Sequence, residues 1–140
     1  MIMLARRTVL ALPVAAFAAP ASAQGALPSV TVSEAQERLA SGKSVLVDIR
    51  RPEEWAETGV ASGAVRLDMT ADDFLPKLQS LQKANPGKDI DIICRTANRT
   101  AFVQSELAKR GWKGIVNVRG GMAGRAPDIG WIAAKLPIVK

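Results

Sequence analysis

The chain has 140 residues, which suits one domain, and carries a formal charge of +6 with one cysteine, no histidine and no tyrosine. Without histidine, Ser-His-Asp and Cys-His hydrolytic centres are excluded, and one thiol leaves a zinc site without its usual ligands, so neither a metal nor a cofactor is expected. A core of this size needs no disulfide, and the basic excess is spread without a Lys/Arg block or aromatics for base stacking. Nucleic acid is therefore not an expected partner, whereas a small anionic substrate is favoured by the charge balance.

The first segment has Arg6 and Arg7 as its only charges, then an Ala-rich apolar run from Thr8, and closes on Ala21-Ser22-Ala23 before Gln24. Basic start, apolar middle and small-x-small end are the parts of a secretory signal peptide. Pro13 and Pro20 interrupt the run, which is shorter than the ~20 apolar residues of a spanning helix. Residues 1–23 are thus expected to be cleaved, leaving an exported protein, periplasmic or secreted, with no stable membrane span. Arg6-Arg7-Thr8-Val9-Leu10 also resembles a twin-arginine signal, so both export routes stay open. Cleavage removes only those two cations and leaves a net charge of +4.

Residues 24–29 read as a short leader to a domain spanning 30–140. Val30–Val32 is a short predicted strand, and Ser33 caps a helix with Gln36 as its capping-box partner and Gly42 as its stop. Ser44–Asp48 is a continuous apolar run ending in a charge, as in a strand buried on both faces. Pro52 opens a helical turn through Trp55, and Ala64–Leu67 is a third strand. A helix over 72–83 places Leu75, Leu78 and Leu81 on one face, with Pro76 tolerable only near its first turn. Asp89–Ile93 is the fourth strand and delivers Cys94 at its carboxyl end. Residues 99–110 form an amphipathic helix closed by Gly111, Ile115–Val118 is the fifth strand, and a last helical turn lies around Trp131–Lys135. Strands alternating with helices imply an α/β sandwich on a parallel sheet, whose ligands bind beyond the strands' carboxyl ends. Cys94 and Asp48 both lie at such ends.

The segment Cys94-Arg95-Thr96-Ala97-Asn98-Arg99-Thr100 runs from a buried strand into a helix. A lone cysteine is more often packing than nucleophile, but here loop amides, a helix amino end and two guanidinium groups converge on the sulfur. Each favours the thiolate, so Cys94 needs no general base to attack a soft electrophile such as sulfane sulfur.

Cys94 to Arg99 resembles the active-site loop of rhodaneses, C-R-S-G-N-R. The run Asp48-Ile49-Arg50-Arg51-Pro52-Glu53-Glu54-Trp55 is similar to that family's D-x-R segment, residues 59–65 to its G-H-I-P-G-A-I turn, and Val118-Arg119-Gly120-Gly121 to its glycine pair. The likeness runs in order over residues 28–140. It implies a rhodanese-like three-layer sandwich, a five-stranded mainly parallel sheet with helices on both faces. It also implies a sulfurtransferase moving sulfur from thiosulfate or a persulfide to a thiophilic acceptor through a Cys94 persulfide. Arg95, Thr96, Ala97, Asn98 and Arg99 would form the substrate cradle, and Asp48 and Arg50 would brace the pocket. Local alternatives for the last pair are a turn cap and a surface ion pair, and for Asn98 an Asx bond. The three tryptophans read as packing residues.

Some positions depart from the family pattern. Ala97 stands where a loop glycine is usual, and positive φ there would strain it. Val60 and Ser62 replace a histidine and a proline. Glu54 lies near the place of an additional substrate-contacting arginine, which weakens the case for thiosulfate. Residues 122–130 look like a small insertion near the pocket. Two other functions compete: a non-catalytic sulfur carrier, sensor or binding module, and a thiol phosphatase or arsenate reductase. The latter needs five residues between cysteine and arginine, and here there are four.

Overall fold

Three of the predicted strands are buried along most of their length, and they form the middle of the sheet. The computed structural model describes residues 26–140; the expected signal peptide lies outside the described residues. In chain order the elements are β1 (Ser29–Val30), α1 (Val32–Ala40), β2 (Ser44–Asp48), α2 (Pro52–Thr58), β3 (Val60–Ala61), β4 (Val65–Arg66), α3 (Phe74–Ala84), β5 (Asp89–Ile93), α4 (Asn98–Lys109), β6 (Ile115–Val118) and β7 (Ile138–Val139).

Five strands join in the order β1-β6-β5-β2-β4, every neighbouring pair parallel. The period-2 alternation of a strand sends its side chains to opposite faces. Val47, Ile90, Ile92 and Ile115 therefore pack with Phe74 and Leu78 of α3 and Val103 and Leu107 of α4. On the other face Leu46, Ile93, Val116 and Val118 pack with Val32 and Ala35 of α1 and with Met122 and Trp131. This is the expected three-layer sandwich. None of the described helices is long and apolar enough to cross a membrane.

Ser33 does not cap α1. Thr31 does, with an extended backbone (φ −74°, ψ 167°): its hydroxyl accepts from the Glu34 N–H at 3.1 Å, and the Glu34 carboxylate accepts from the Thr31 N–H. Two overlapping capping boxes were available, and this one puts Val32 and Ala35 against the sheet with no exposure. The first strand accordingly ends at Val30. Pro76 is the third residue of α3, where its missing N–H breaks no helical bond. The third predicted strand is reduced to Val65–Arg66, and β3 and β7 form a separate antiparallel pair.

Candidate active site

A parallel strand that turns directly into a helix leaves a short loop beyond the strand's carboxyl end. Here β5 stops at Ile93 and α4 starts at Asn98. The turn closes in so few residues because Ala97 adopts the left-handed conformation (φ 67°, ψ 3°). The first N–H groups of a helix have no intrahelical acceptor. Among the described residues no hydrogen bond takes the amides of Arg95 to Thr100, while Ala101 N–H is the first to close a helical turn, onto Ala97 O at 3.1 Å.

The base of the loop is fixed from the far end of the chain. Met122 N–H donates to Cys94 O and Ala123 N–H to Arg95 O, both at 2.8 Å. Gly121 (φ +60°) makes this approach possible, because a Cβ there would stand 2.6 Å from each of those carbonyl oxygens. The segment 122–130 thus packs against the loop.

Cys94 lies at the carboxyl end of its strand as expected, but it has no exposure. The loop curls over the strand end, so the sulfur joins the cluster of Val47, Ile49, Ile92 and Val103 on the α3/α4 side. Among the described residues its side-chain hydrogen-bond partner is Thr100, with Oγ1 3.5 Å from Sγ. Thr100 is itself fully buried and donates its hydroxyl to Asn117 Oδ1 at 2.6 Å.

The cradle residues divide by what they touch. Arg95 is exposed, its guanidinium has no hydrogen-bond or ion-pair partner among the described residues, and it lines a cavity of about 210 Å³ with Arg50, Glu54, Glu57, Thr58, Met122, Ala123 and Ile132. Thr96 is half-buried. Asn98 makes no Asx bond; its Oδ1 accepts from the Arg125 guanidinium. Nor does Arg99 offer a free charge to the sulfur. It forks onto Glu54 of α2, with Nη1–Oε2 at 2.7 Å and Nη2–Oε1 at 2.6 Å. That pair holds Arg99 more basic than usual, with the nearby Cys94 and Asp48 adding smaller contributions after burial has opposed them. It also holds the Glu54 carboxyl at about 2, with Arg51 N–H assisting against burial. Of the loop's two guanidinium groups, only that of Arg95 has no partner among the described residues.

Asp48 and Arg50 form a buried pair at the end of β2, so neither is a surface ion pair. The Arg50 guanidinium takes both Asp48 oxygens at 2.9–3.0 Å, Gly59 O at 2.8 Å and Thr58 Oγ1 at 2.9 Å. These bonds fasten α2 and the start of β3 beside the cavity. Thr100, Asn117 and the Glu54–Arg99 fork escaped the sequence reading. Only Thr100 left a signal there, as the hydroxyl residue directly after the loop.

The family described as Rhodanese-like domain matches residues 31–125. A protein of Allochromatium vinosum named sulfurtransferase is 33% identical over 105 residues, 74% of this chain and 86% of that one. Among solved structures, Rv0390 from M. tuberculosis is similar with a TM-score of 0.65 and 25% identity over 79% of this chain and 96% of that one. A rhodanese-like domain protein from Staphylococcus aureus is similar with a TM-score of 0.56 and 30% identity over 74% and 98%.

Proposed function

We propose, from the premise that this chain belongs to the rhodanese-like domain family and so to a family of sulfurtransferases, that it carries sulfane sulfur as a persulfide on Cys94. The donor is thiosulfate or a persulfide, and the acceptor is thiophilic. With thiosulfate, the Cys94 thiolate attacks the outer sulfur, the S–S bond breaks, and sulfite leaves with the bonding pair. The resulting Cys–S–S⁻ is then attacked at its terminal sulfur by the acceptor, and the Cys94 thiolate is released. No protein base is required at either step.

The observation that carries this reading is the setting of the only cysteine. It lies at the carboxyl end of a central parallel strand and at the amino end of α4, beside a run of amides that have no acceptor among the described residues. Amide donors left over at a helix amino end suit the anionic sulfur of both the thiolate and the persulfide. In this reading the donor approaches through the cavity beside Arg95, whose unpaired charge attracts it, and the loop cover moves to admit it. The work is done outside the cytoplasm after residues 1–23 are removed.

Intact mass spectrometry after exposure to thiosulfate should find one added sulfur that cyanide removes, and Cys94→Ser should take up none. Repeated turnover with cyanide marks an enzyme; loading without turnover marks a carrier. A chain that stays unmodified by thiosulfate and by glutathione persulfide alike refutes the transfer reading.

A further inference from the structure

The Thr100 hydroxyl stands between two partners that make opposite demands on it. A hydroxyl has one hydrogen to donate and lone pairs to accept with. At 2.6 Å the Asn117 Oδ1, an acceptor only, takes that hydrogen, so the oxygen presents lone pairs to the Cys94 sulfur 3.5 Å away. This arrangement suits a neutral thiol, whose S–H points at the oxygen. It does not suit a thiolate, which has no proton to give and is repelled by lone pairs.

Cys94 and Thr100 are both fully buried, so water cannot supply the missing donor at that side of the sulfur. The position of the pair is set by the sheet. Asn117 lies on β6 directly across from Ile92 of β5, two residues before Cys94, and Thr100 is the third residue of α4. The contact is therefore built from strand, neighbouring strand and helix together.

Resting on the reading of Cys94 as the sulfur-carrying nucleophile, we infer that Thr100 is a further catalytic residue and Asn117 its positioning residue. When the thiol loses its proton to solvent, the Thr100 O–H rotates from Asn117 Oδ1 to the sulfur and keeps its own hydrogen throughout. A hydrogen bond to an anionic acceptor is stronger than one to a neutral amide oxygen, and burial strengthens it further. Asn117 Oδ1 accepts the hydroxyl's hydrogen bond while the sulfur is neutral, and it competes with the anion for that bond.

The pH dependence of Cys94 alkylation by iodoacetamide, and its loading by thiosulfate followed by intact mass, test this on the full domain. Thr100→Val should raise the pH of half-maximal alkylation by about one unit and slow loading at neutral pH about tenfold, the effect of losing one charge-assisted hydrogen bond. Thr100→Ser keeps the hydroxyl and should stay within about threefold of wild type. Asn117→Ala removes the competitor and should move the alkylation profile the opposite way, to lower pH. A part that merely packs would send both variants in one direction. The inference is overturned by a wild-type profile in Thr100→Val, or by an upward or unchanged profile in Asn117→Ala. Should Thr100→Val fail to melt cooperatively, the sign of the Asn117→Ala shift decides. Wild-type protein that alkylates but never takes sulfur refutes the transfer reading, and the alkylation profiles still judge the hydrogen bond.

Discussion

Ala97 holds a backbone conformation that its own Cβ opposes. At φ 67° the methyl group crowds the following carbonyl, a cost of roughly 1–2 kcal/mol for a residue other than glycine. The strain is kept because the strand must turn into α4 at once to bring the helix amino end to Cys94. Ala97→Gly is therefore expected to raise stability by about 0.5–1 kcal/mol, the steric relief being offset in part by the greater freedom glycine gives the unfolded chain. Urea unfolding with an unchanged m-value checks this, and a destabilised variant would contradict it. At this scale the sequence was informative where one residue decides its own environment. Cys94 and Ala97 could be singled out from their neighbours, whereas the partner of Arg99 could not. Glu54 lies 45 positions away on another helix, and nothing local to Arg99 points to it.

The Glu54–Arg99 fork is the element-scale counterpart, pinning α2 to the first turn of α4 through Glu54, which also lines the cavity. Arg99, with help from Arg51 N–H, holds the Glu54 carboxyl at about 2 against an ordinary 4.5. The unfolded chain thus takes up this proton before the folded one does as pH falls. The stabilisation from Glu54 is complete above about 4.5 and is lost as pH drops through about 2. Both side chains keep partial contact with solvent, so Glu54→Gln is expected to cost about 1–2 kcal/mol at pH 7, and less as the acid limit is approached. Denaturation curves at pH 7 and pH 3 measure the gap, and one that widened on acidification would sink the assignment. Elements were legible in proportion to their burial. β2, β5 and β6 are buried along most of their length and match their predicted bounds; β5 keeps enough apolar residues to read as a strand although Asp89 and Asp91 alternate with its isoleucines. β3 and β7 are two residues each and exist only by pairing with each other, Val60 with Val139 and Ala61 with Ile138, so no local pattern announces them. The start of α1 was misplaced because two capping boxes overlap and only the sheet chooses between them.

On the scale of the whole molecule, the active-site loop depends on a segment that follows it by almost thirty residues. Gly121 lets Met122 and Ala123 reach the carbonyls of Cys94 and Arg95, and Trp131, fully buried, anchors the same segment on the opposite face of the sheet. The sequence displayed the glycine pair but not what it approaches, since close contact between distant backbones has no local signature. Gly121→Ala separates this packing from simple backbone strain when compared with Gly87→Ala. Both positions have positive φ, but a Cβ at Gly87 meets open space, whereas at Gly121 it meets two carbonyl oxygens at 2.6 Å. Gly87→Ala should cost about 1 kcal/mol and leave sulfur loading of Cys94 unchanged. Gly121→Ala should cost about 3 kcal/mol, because neither backbone can yield without breaking the bonds to Met122 and Ala123, and it should slow loading as the cradle opens. Paired urea titrations and timed mass spectra read both effects. Equal losses in the two variants would mean that the distant segment does not shape the loop.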